Sequence, residues 1–600
     1  MRLTGSEIIV EHLIAEGVPY VAGIPGHGCL ALFDALKRRQ DKIRVIQVRH
    51  EQAAVHLADG YYRVKGEPLA VVTSIGPGAI NTGVGLATSY VDSTAVLVVS
   101  GETHTYMFGR GVLQEIERAN WADLSSVLAP LVKRYWKVTE VAQLMRVMPG
   151  AFNVMREGRP GPAFVSMPMN VQADDIDITM PVPATRKPFG RQQGDPVQIQ
   201  CAAELLWKAK RPVILAGGGV NLSGAFEELR RVAEHIGAPA VTTLQSKGCF
   251  PEDHPLNGWH AGSKGTTCGN ALTRSADVVL AVGCRFADET TSSYRQGVSF
   301  GIPPTRLVHI DIDSREIGKN YATEVGIVAD AKAGLAQLLD ALAEHGPARD
   351  YRNSAYFRDV QRLQQEWAEA MRPGQTSERV PVTVSRFFRE LRQAMARDGV
   401  LVTSSGHAQA TMLEFPFYEP RTNITTGGFS TMGFSLPAAL GAKLAAPDKQ
   451  VVAVVGDGDF LMTCQELATA VQYQIPIVVV VLNNMGWHSI RDLQIAAYGQ
   501  ERAFSTDFVG VDGVSSSPDF AALGKAFGVH SERIQRPDEV QPAVKRALAL
   551  GGPALVEVLV NREYPHSGSL VTGWWDVPVP AYLEERRRKY LSERAEEQLS

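Results

Sequence analysis

The sequence predicts an α/β protein built from three doubly wound parallel-sheet domains. Three observations predict it. Short apolar runs rich in β-branched residues recur along the chain, each followed by a segment with helical spacing. Two stretches without that rhythm, residues 174–196 and about 345–378, divide the recurrence into three sets. Gly, Glu, Asp and Asn also gather just after the runs, at the edge where open parallel sheets bind ligands.

The first set occupies residues 1–173, with strands expected at 19–22, 45–48, 69–73 and 95–99. The opening segment MRLTGSEIIVEHLIAEG carries Glu7, Glu11 and Glu16 among its apolar positions and reads as an amphipathic helix rather than a signal peptide. Residues 174–196 are polar and Pro-rich and read as a linker. The second set, 197–345, has strands expected at 212–216, 239–243, 278–282 and 307–312. A charged stretch with Arg349, Asp350, Arg352 and Arg372-Pro373-Gly374 reads as a second linker. In the third set, 379–565, the strands 451–455 and 477–482 bracket a helix from Gln465 to Tyr473, a unit whose crossover is expected to be right-handed. Residues 566–600 form a tail that ends in a charged helix, with Trp574-Trp575 expected to fold back as a lid. The first and third sets read as paired sheets of one type.

With 600 residues and 45% hydrophobic content the chain can form several cores. A net charge of −4 with 21% charged residues offers no basic surface for nucleic acid. The 6 cysteines are scattered without a CxxC pair, so neither a zinc site nor a disulfide framework is indicated. No apolar run approaches the ~18 residues of a membrane span. The expectation is a cytoplasmic enzyme.

Two clusters carry the chemistry. Gly456-Asp457-Gly458 follows one apolar run and Asn483-Asn484 the next. The Asp457 carboxylate, the Asn484 amide oxygen and the backbone carbonyl of Gly486 are hard oxygen ligands that suit Mg²⁺, an ion that usually shares its shell with phosphate. Gly456 and Gly458 let backbone N–H groups approach a phosphate. The plainer alternative is a strand-end turn and an Asn-rich loop. Glu51 follows the expected strand 44–48 and opens a helix whose apolar face is Ala54, Leu57, Ala58 and Tyr61. Its plainer alternative is an acid stabilised by the helix dipole.

These stretches resemble a known family. The pattern GDGDF…NN resembles the thiamine diphosphate motif, and RHEQAAVHLADGYYR and GGFSTMGFSLPAALGAKLA (427–445) resemble the acetolactate synthase group. The resemblance implies Mg²⁺ held by Asp457, Asn484 and Gly486. It implies coenzyme contacts from Gly456, Gly458 and Asp459, from Gly406 and His407 in TSSGHAQA (403–410), and from Met432, the apolar residue under the bent coenzyme. It makes Glu51 the acid that shares a proton with the pyrimidine ring. Because Glu51 and Asp457 lie in different domains, it implies a homodimer or dimer of dimers with sites on the interface.

Further similar segments are SIGPGAIN (74–81), GRPGPAFVSMP (158–168) and HIDIDSREIGKN (309–320). AGGGV (216–220) and GCRFADE (283–289), with Arg285, are similar to stretches that contact FAD in flavin-bearing relatives. Flavin-free relatives keep them too, so the resemblance leaves FAD open. Gln114 in GVLQE matches a residue near substrate, with a surface loop amide as the alternative. The family's lysine in its P-K-D-V segment is Met169 here, which departs from ordinary branched-chain acetolactate synthesis.

His27, in GIPGHG, stands where benzoylformate decarboxylase-like enzymes carry a polar catalytic residue, and imidazole can move protons near neutral pH. A structural loop His is the alternative, and His50 reads as structural. Trp487 and His488 are candidates for the pocket wall. The implied activity is decarboxylation of a 2-oxo acid and joining of the remaining acyl unit to a second carbonyl. A second resemblance, in GHG, SIGPGAIN, RYW and WWDVPVP, is to trihydroxycyclohexanedione hydrolase, which implies opening of a cyclic 1,2-diketone. An inert cofactor-binding assembly protein is the alternative of another class.

Overall fold

A computed structural model describes residues 1–116, 123–179, 190–563 and 577–595. Three six-stranded sheets form the frame, and within each every pairing is parallel. In space the first sheet runs 44–47, 20–23, 69–73, 96–102, 163–168, 134–137. Counted along the chain, that order is 2-1-3-4-6-5. The third sheet runs 423–424, 400–402, 451–456, 478–483, 554–559, 530–534, which is again 2-1-3-4-6-5. The central sheet differs: 257–260, 240–242, 212–216, 278–282, 306–311, 325–328, or 3-2-1-4-5-6. The first and third sets are therefore two copies of one topology, with a doubly wound sheet of another order between them.

Local sequence explains the elements. The strand Val478–Asn483 is buried on both faces. Val479 and Val481 join one core, and Val478, Val480 and Leu482 another, which is the period-two alternation of a covered parallel sheet. Ahead of the first helix, Gly5–Ala15, Thr4 and Glu7 form a reciprocal capping box. The helix Glu51–Lys65 starts where the His50 ring accepts the Gln52 N–H, and it stops at Gly66, whose φ is +78°.

One core unites the first and third domains. It runs from Ile8 through the first sheet to Phe434, Leu436 and the inner face of the third sheet. Its seam is the packing of helix Glu51–Lys65 against helix Ser435–Ala445. The backbones approach so closely that a Cβ on Gly441 would lie 1.8 Å from the Leu57 carbonyl oxygen, and one on Gly60 2.2 Å from that of Ala438. Beside the seam Arg63 donates to Asp59, to Asp92 (2.9 Å) and to the Thr425 carbonyl (2.8 Å).

Two sequence expectations need correction. The charged stretch 345–378 is not a linker: Ala355–Gln375 is a 21-residue helix that buries Val360, Trp367 and Met371 against the central domain. Its fully buried stripe is narrow and its outer face polar and charged, which hides the helical period. Within the expected linker 174–196, Asp175–Asp177 pairs antiparallel with Arg2–Thr4, so its first residues belong to a small sheet. The charged helix of the tail is Glu584–Arg594, and Trp574-Trp575 lie outside the described residues. Among the described residues, no helix is long and apolar enough to cross a membrane.

Candidate active site

The carboxyl edge of the third sheet holds one group of site residues. Strand Val451–Gly456 runs directly into helix Asp457–Thr463. Asp457 is 2% exposed, and its carboxylate gathers the neighbouring strand end. It accepts from Gly458 N (2.8 Å), Met485 N (2.6 Å) and Gly486 N (3.2 Å). Met485 makes that turn with φ of +62°. The two asparagines then divide their work. Asn483 donates to Ser517 (2.8 Å) and to the buried Glu557 (2.8 Å), so it is structural. The Asn484 side-chain oxygen is buried and has no hydrogen-bond partner, and its backbone N–H is one of those facing the Asp457 carboxylate.

Burial pushes the Asp457 carboxyl up to about 6 even though backbone N–H groups oppose the shift. Among the described residues no Lys or Arg pairs with it. A buried carboxylate and an unpaired amide oxygen on the loop that faces it lack a positive partner, the situation a hard cation relieves.

Around this point the loops leave room. A Cβ added at Gly456 or at Gly406, whose φ is +81°, meets nothing within 4 Å. Gly458 also meets a steric need. Its N–H is taken by Asp457, and the Trp487 ring lies 2.2 Å from where its Cβ would be. Asp459, fully enclosed and raised by burial to about 6, accepts from Ser404 Oγ and Gly433 N. It thereby ties the 404–406 loop to the loop carrying the half-buried Met432. His407 meets Asp492 at 2.8 Å and His488 meets Asp507 at 3.0 Å, so both imidazoles line this side in carboxylate pairs.

The second group lies on the first sheet, and residues 74–81 organise it. Asn81 Nδ2 donates to Glu51 Oε2 at 2.9 Å. A Cβ on Gly78 would sit 3.1 Å from Glu51 Oε1. Gly76, at φ +63°, passes under the backbone carbonyl of Gln114, 2.1 Å from where its Cβ would be. Ser74 Oγ accepts Gly28 N at 3.0 Å and so fixes the loop that carries His27. Glu51, Gln114 and His27 are thus brought to one edge by a single turn. The role of Asn81 and of this turn is absent from the residue-level reading of the sequence, where SIGPGAIN enters only as a similar segment. His50 caps its helix, as a structural residue does.

Among the described residues no hydrogen bond or ion pair links the Glu51 group to Asp457, Asn484 or Gly486 within one chain. The two edges are connected indirectly. Glu466 of the third domain accepts Arg49 N at 2.9 Å, and Tyr473 accepts Gln47 N through its hydroxyl oxygen at 2.8 Å. A separate cleft of about 1080 Å³ opens between the domains. Its walls include Gly217, Gly218, Gly283, Arg285 and Asp311. Arg285 is anchored there by donating to the Val91 carbonyl at 2.8 Å.

Comparison with known proteins decides what this arrangement is. Residues 3–121 match the family described as thiamine pyrophosphate enzyme, N-terminal TPP binding domain. Residues 199–338 match its central domain, and 404–558 its C-terminal TPP binding domain. The chain is 37% identical over 570 residues to a probable acetolactate synthase large subunit of Methanocaldococcus jannaschii, covering 93% of this chain and 92% of that one. It is 34% identical to the acetolactate synthase isozyme 3 large subunit of Escherichia coli (91% and 92% covered) and 33% identical to the acetolactate synthase large subunit of Corynebacterium glutamicum (94% and 87%). The chain belongs to the acetolactate synthase-like thiamine pyrophosphate enzymes.

The residues present fit the coenzyme of this family. Asp457, the unpartnered Asn484 oxygen and the Gly486 turn form an oxygen set for a cation, and the open space before Gly406 and Gly456 leaves room for a diphosphate.

Proposed function

We propose that Glu51 of one protomer and the Asp457–Asn484–Gly486 set of its partner close on one thiamine diphosphate, in a homodimer or dimer of dimers that decarboxylates a 2-oxo acid and joins the acyl unit to a second carbonyl. The unpartnered Asn484 oxygen, on the loop that faces the buried Asp457, carries this reading, because it marks where a magnesium diphosphate would bind. When bound, the coenzyme supplies the carbanion nucleophile and electron sink that decarboxylation needs.

The chain's own residues do the rest. Glu51 holds a proton for the pyrimidine ring, and Asn81 fixes its carboxyl orientation. His27 and Gln114 orient the acceptor carbonyl or deliver a proton to it. Met432 supports the coenzyme from below and, with Met169, keeps water away.

The dimer explains apolar surface that a single chain leaves bare. Leu30, Tyr106 and Leu113 are 60%, 63% and 74% exposed on segments that follow strands of the first sheet. Phe504 and Val509 are 81% and 57% exposed near the metal-loop edge. Such residues on both outer domains favour association.

CO₂ release from a panel of 2-oxo acids, with and without an aldehyde acceptor, tests the reaction. Release that depends on thiamine diphosphate and Mg²⁺, with ligated product, supports it; no release with the coenzyme bound overturns it. Sedimentation tests the assembly, a monomer being the adverse result. For the 1080 Å³ cleft lined by Gly217, Gly218, Gly283 and Arg285, FAD is the proposed occupant, since those stretches are similar to ones that contact FAD in flavin-bearing relatives. A visible-absorption scan of the purified protein decides it.

A further inference from the structure

Met432, placed under the coenzyme by the proposed function, sits between two clamps. On one side Gly433 donates its N–H to Asp459, and its carbonyl accepts from Thr463 Oγ1 at 3.1 Å. Both partners belong to helix Asp457–Thr463 of the same domain. On the other side Thr431 Oγ1 meets Thr88 Oγ1 of the first domain at 2.6 Å. Thr88 lies on helix Gly83–Asp92, and both threonines are buried.

Thr88 Oγ1 has a second neighbour, the Val84 carbonyl one turn back, at 2.8 Å. A carbonyl only accepts, and each hydroxyl has one proton to give. Both contacts are met at once when Thr88 gives its proton to Val84 and Thr431 gives its own to Thr88. Thr431 is then held as a donor, and the residue that holds it is in another domain.

The same helix holds the base of the loop. Thr88 and Asp92 are four residues apart and share one helix face. Asp92 accepts Gly428 N (2.9 Å) with one oxygen and Arg63 (2.9 Å) with the other. Arg63 also donates to the Thr425 carbonyl (2.8 Å), and its guanidinium carbon lies 5.3 Å from the centre of the Phe434 ring. Residues 425, 428, 431 and 434 are thus all held from the first domain. The buried Arg63–Asp92 pair fixes the frame, whereas Thr88 reaches the residue next to Met432. A backbone pinned at 431 and 433 leaves Met432 little room to rise or sink beneath a ligand.

We propose that Thr88 is a positioning residue for the reaction: its hydroxyl sets the height of Met432, and through it the bend of the coenzyme. Its meaning for catalysis rests on the proposed place of Met432, while the hydrogen bond itself does not. The first domain then serves the reaction twice, through the acid at Glu51 and through the support that Thr88 gives to the third domain of its own chain.

Thr88→Val keeps the branched shape but leaves the buried Thr431 donor without its acceptor. It is compared with wild type, Thr88→Ser and Met432→Ala, each loaded with Mg²⁺ and thiamine diphosphate. Three quantities are read: kcat for CO₂ release from the best 2-oxo acid, coenzyme Kd, and the near-ultraviolet circular dichroism of the bound coenzyme. Thr88→Val should lower kcat about tenfold, change Kd less than about threefold, and alter the dichroism. Thr88→Ser, which keeps the hydroxyl, should recover most of the loss. Wild-type dichroism or wild-type kcat in Thr88→Val overturns the proposal. So does a loss that appears equally in Kd, the mark of a generally loosened fold.

A double-mutant cycle separates this route from one through Asn81 and Glu51, since Asn81 lies just before the same helix. In the Met432→Ala background, Thr88→Val should cost no more than about twofold further. An undiminished cost there overturns the proposal. Where Met432→Ala turns nothing over, the coenzyme dichroism is read through the same cycle. A Met432→Ala enzyme that binds and turns over like wild type sinks the place given to Met432. A defective Met432→Ala beside an unaffected Thr88→Val sinks the role of Thr88 alone.

Discussion

Asn81 donates to Glu51 Oε2 at 2.9 Å across the turn that also supports His27 and Gln114. The carboxyl is therefore held by an amide N–H rather than by a cation, and its other oxygen is not committed to a charged partner. Glu51→Gln should lower kcat by roughly 10²- to 10⁴-fold, the range for losing a general acid or base. Mg²⁺-dependent binding of thiamine diphosphate, followed by calorimetry, should change little. Asn81→Ala should give a smaller loss, about tenfold, because the carboxyl stays but turns more freely. An Asn81→Ala enzyme as inactive as Glu51→Gln would contradict a positioning role.

The metal set makes a complementary prediction. Asp457→Asn and Asn484→Leu each remove one hard oxygen while leaving the sheet edge intact. Both should abolish the Mg²⁺ dependence of coenzyme binding, and EDTA should strip the coenzyme from wild type. Asn483→Leu should act differently. It removes one partner of the buried Glu557, which Arg533 also approaches at 2.8 Å, and so should lower the melting temperature first.

The seam between the outer domains sets a third. Gly441→Val would force side-chain atoms into the Leu57 carbonyl, 1.8 Å from the added Cβ. Overpacking of this kind costs about 1–3 kcal/mol or more. The variant should melt several degrees lower or fail to accumulate as folded protein. An unchanged melting curve would mean the helices can separate freely.

Glu466 supplies a pH prediction. Burial raises its carboxyl from 4.5 to about 7, against the hydrogen bonds from Thr469 and Arg49. The folded protein then holds a proton that the unfolded chain releases near 4.5. Stability from this group is fully present below that value and falls as pH rises toward 7. A displacement of this size corresponds to about 3 kcal/mol at most. Glu466→Gln, which mimics the protonated acid, should flatten the decline. Its apparent melting temperature should match wild type near pH 5 and exceed it near pH 8.

Much of this architecture was legible in the sequence because the informative residues are contiguous. The runs Val451–Val455 and Ile477–Leu482 announce buried strands, and the strands found, 451–456 and 478–483, differ by one residue. Asp457 and Asn484 stand immediately after them, so their chemistry could be read in place. Asn81 could not, since its role depends on a turn that brings residue 81 back to residue 51. The helix 355–375 was hidden for another reason: only Val360, Trp367 and Met371 are fully buried, amid a mostly charged and Gln-rich surface. Glycine spacing gave no sign that Gly60 and Gly441 share a seam, because each needs the other's helix to define the contact. The Thr88–Thr431 contact is likewise a property of two domains together, not of any segment.

The outer domains share one core although the central domain separates them in the chain. That order matters while the protein is being made. The inward face of helix Glu51–Lys65 stays bare until residue 445 has left the ribosome, a wait of about 20 s or longer at 5–20 residues per second. The central domain, complete in itself, can fold during that interval, while the first must remain unfinished and sticky. Biosynthesis of this enzyme therefore has a built-in period of exposure that ends only when its last sheet arrives.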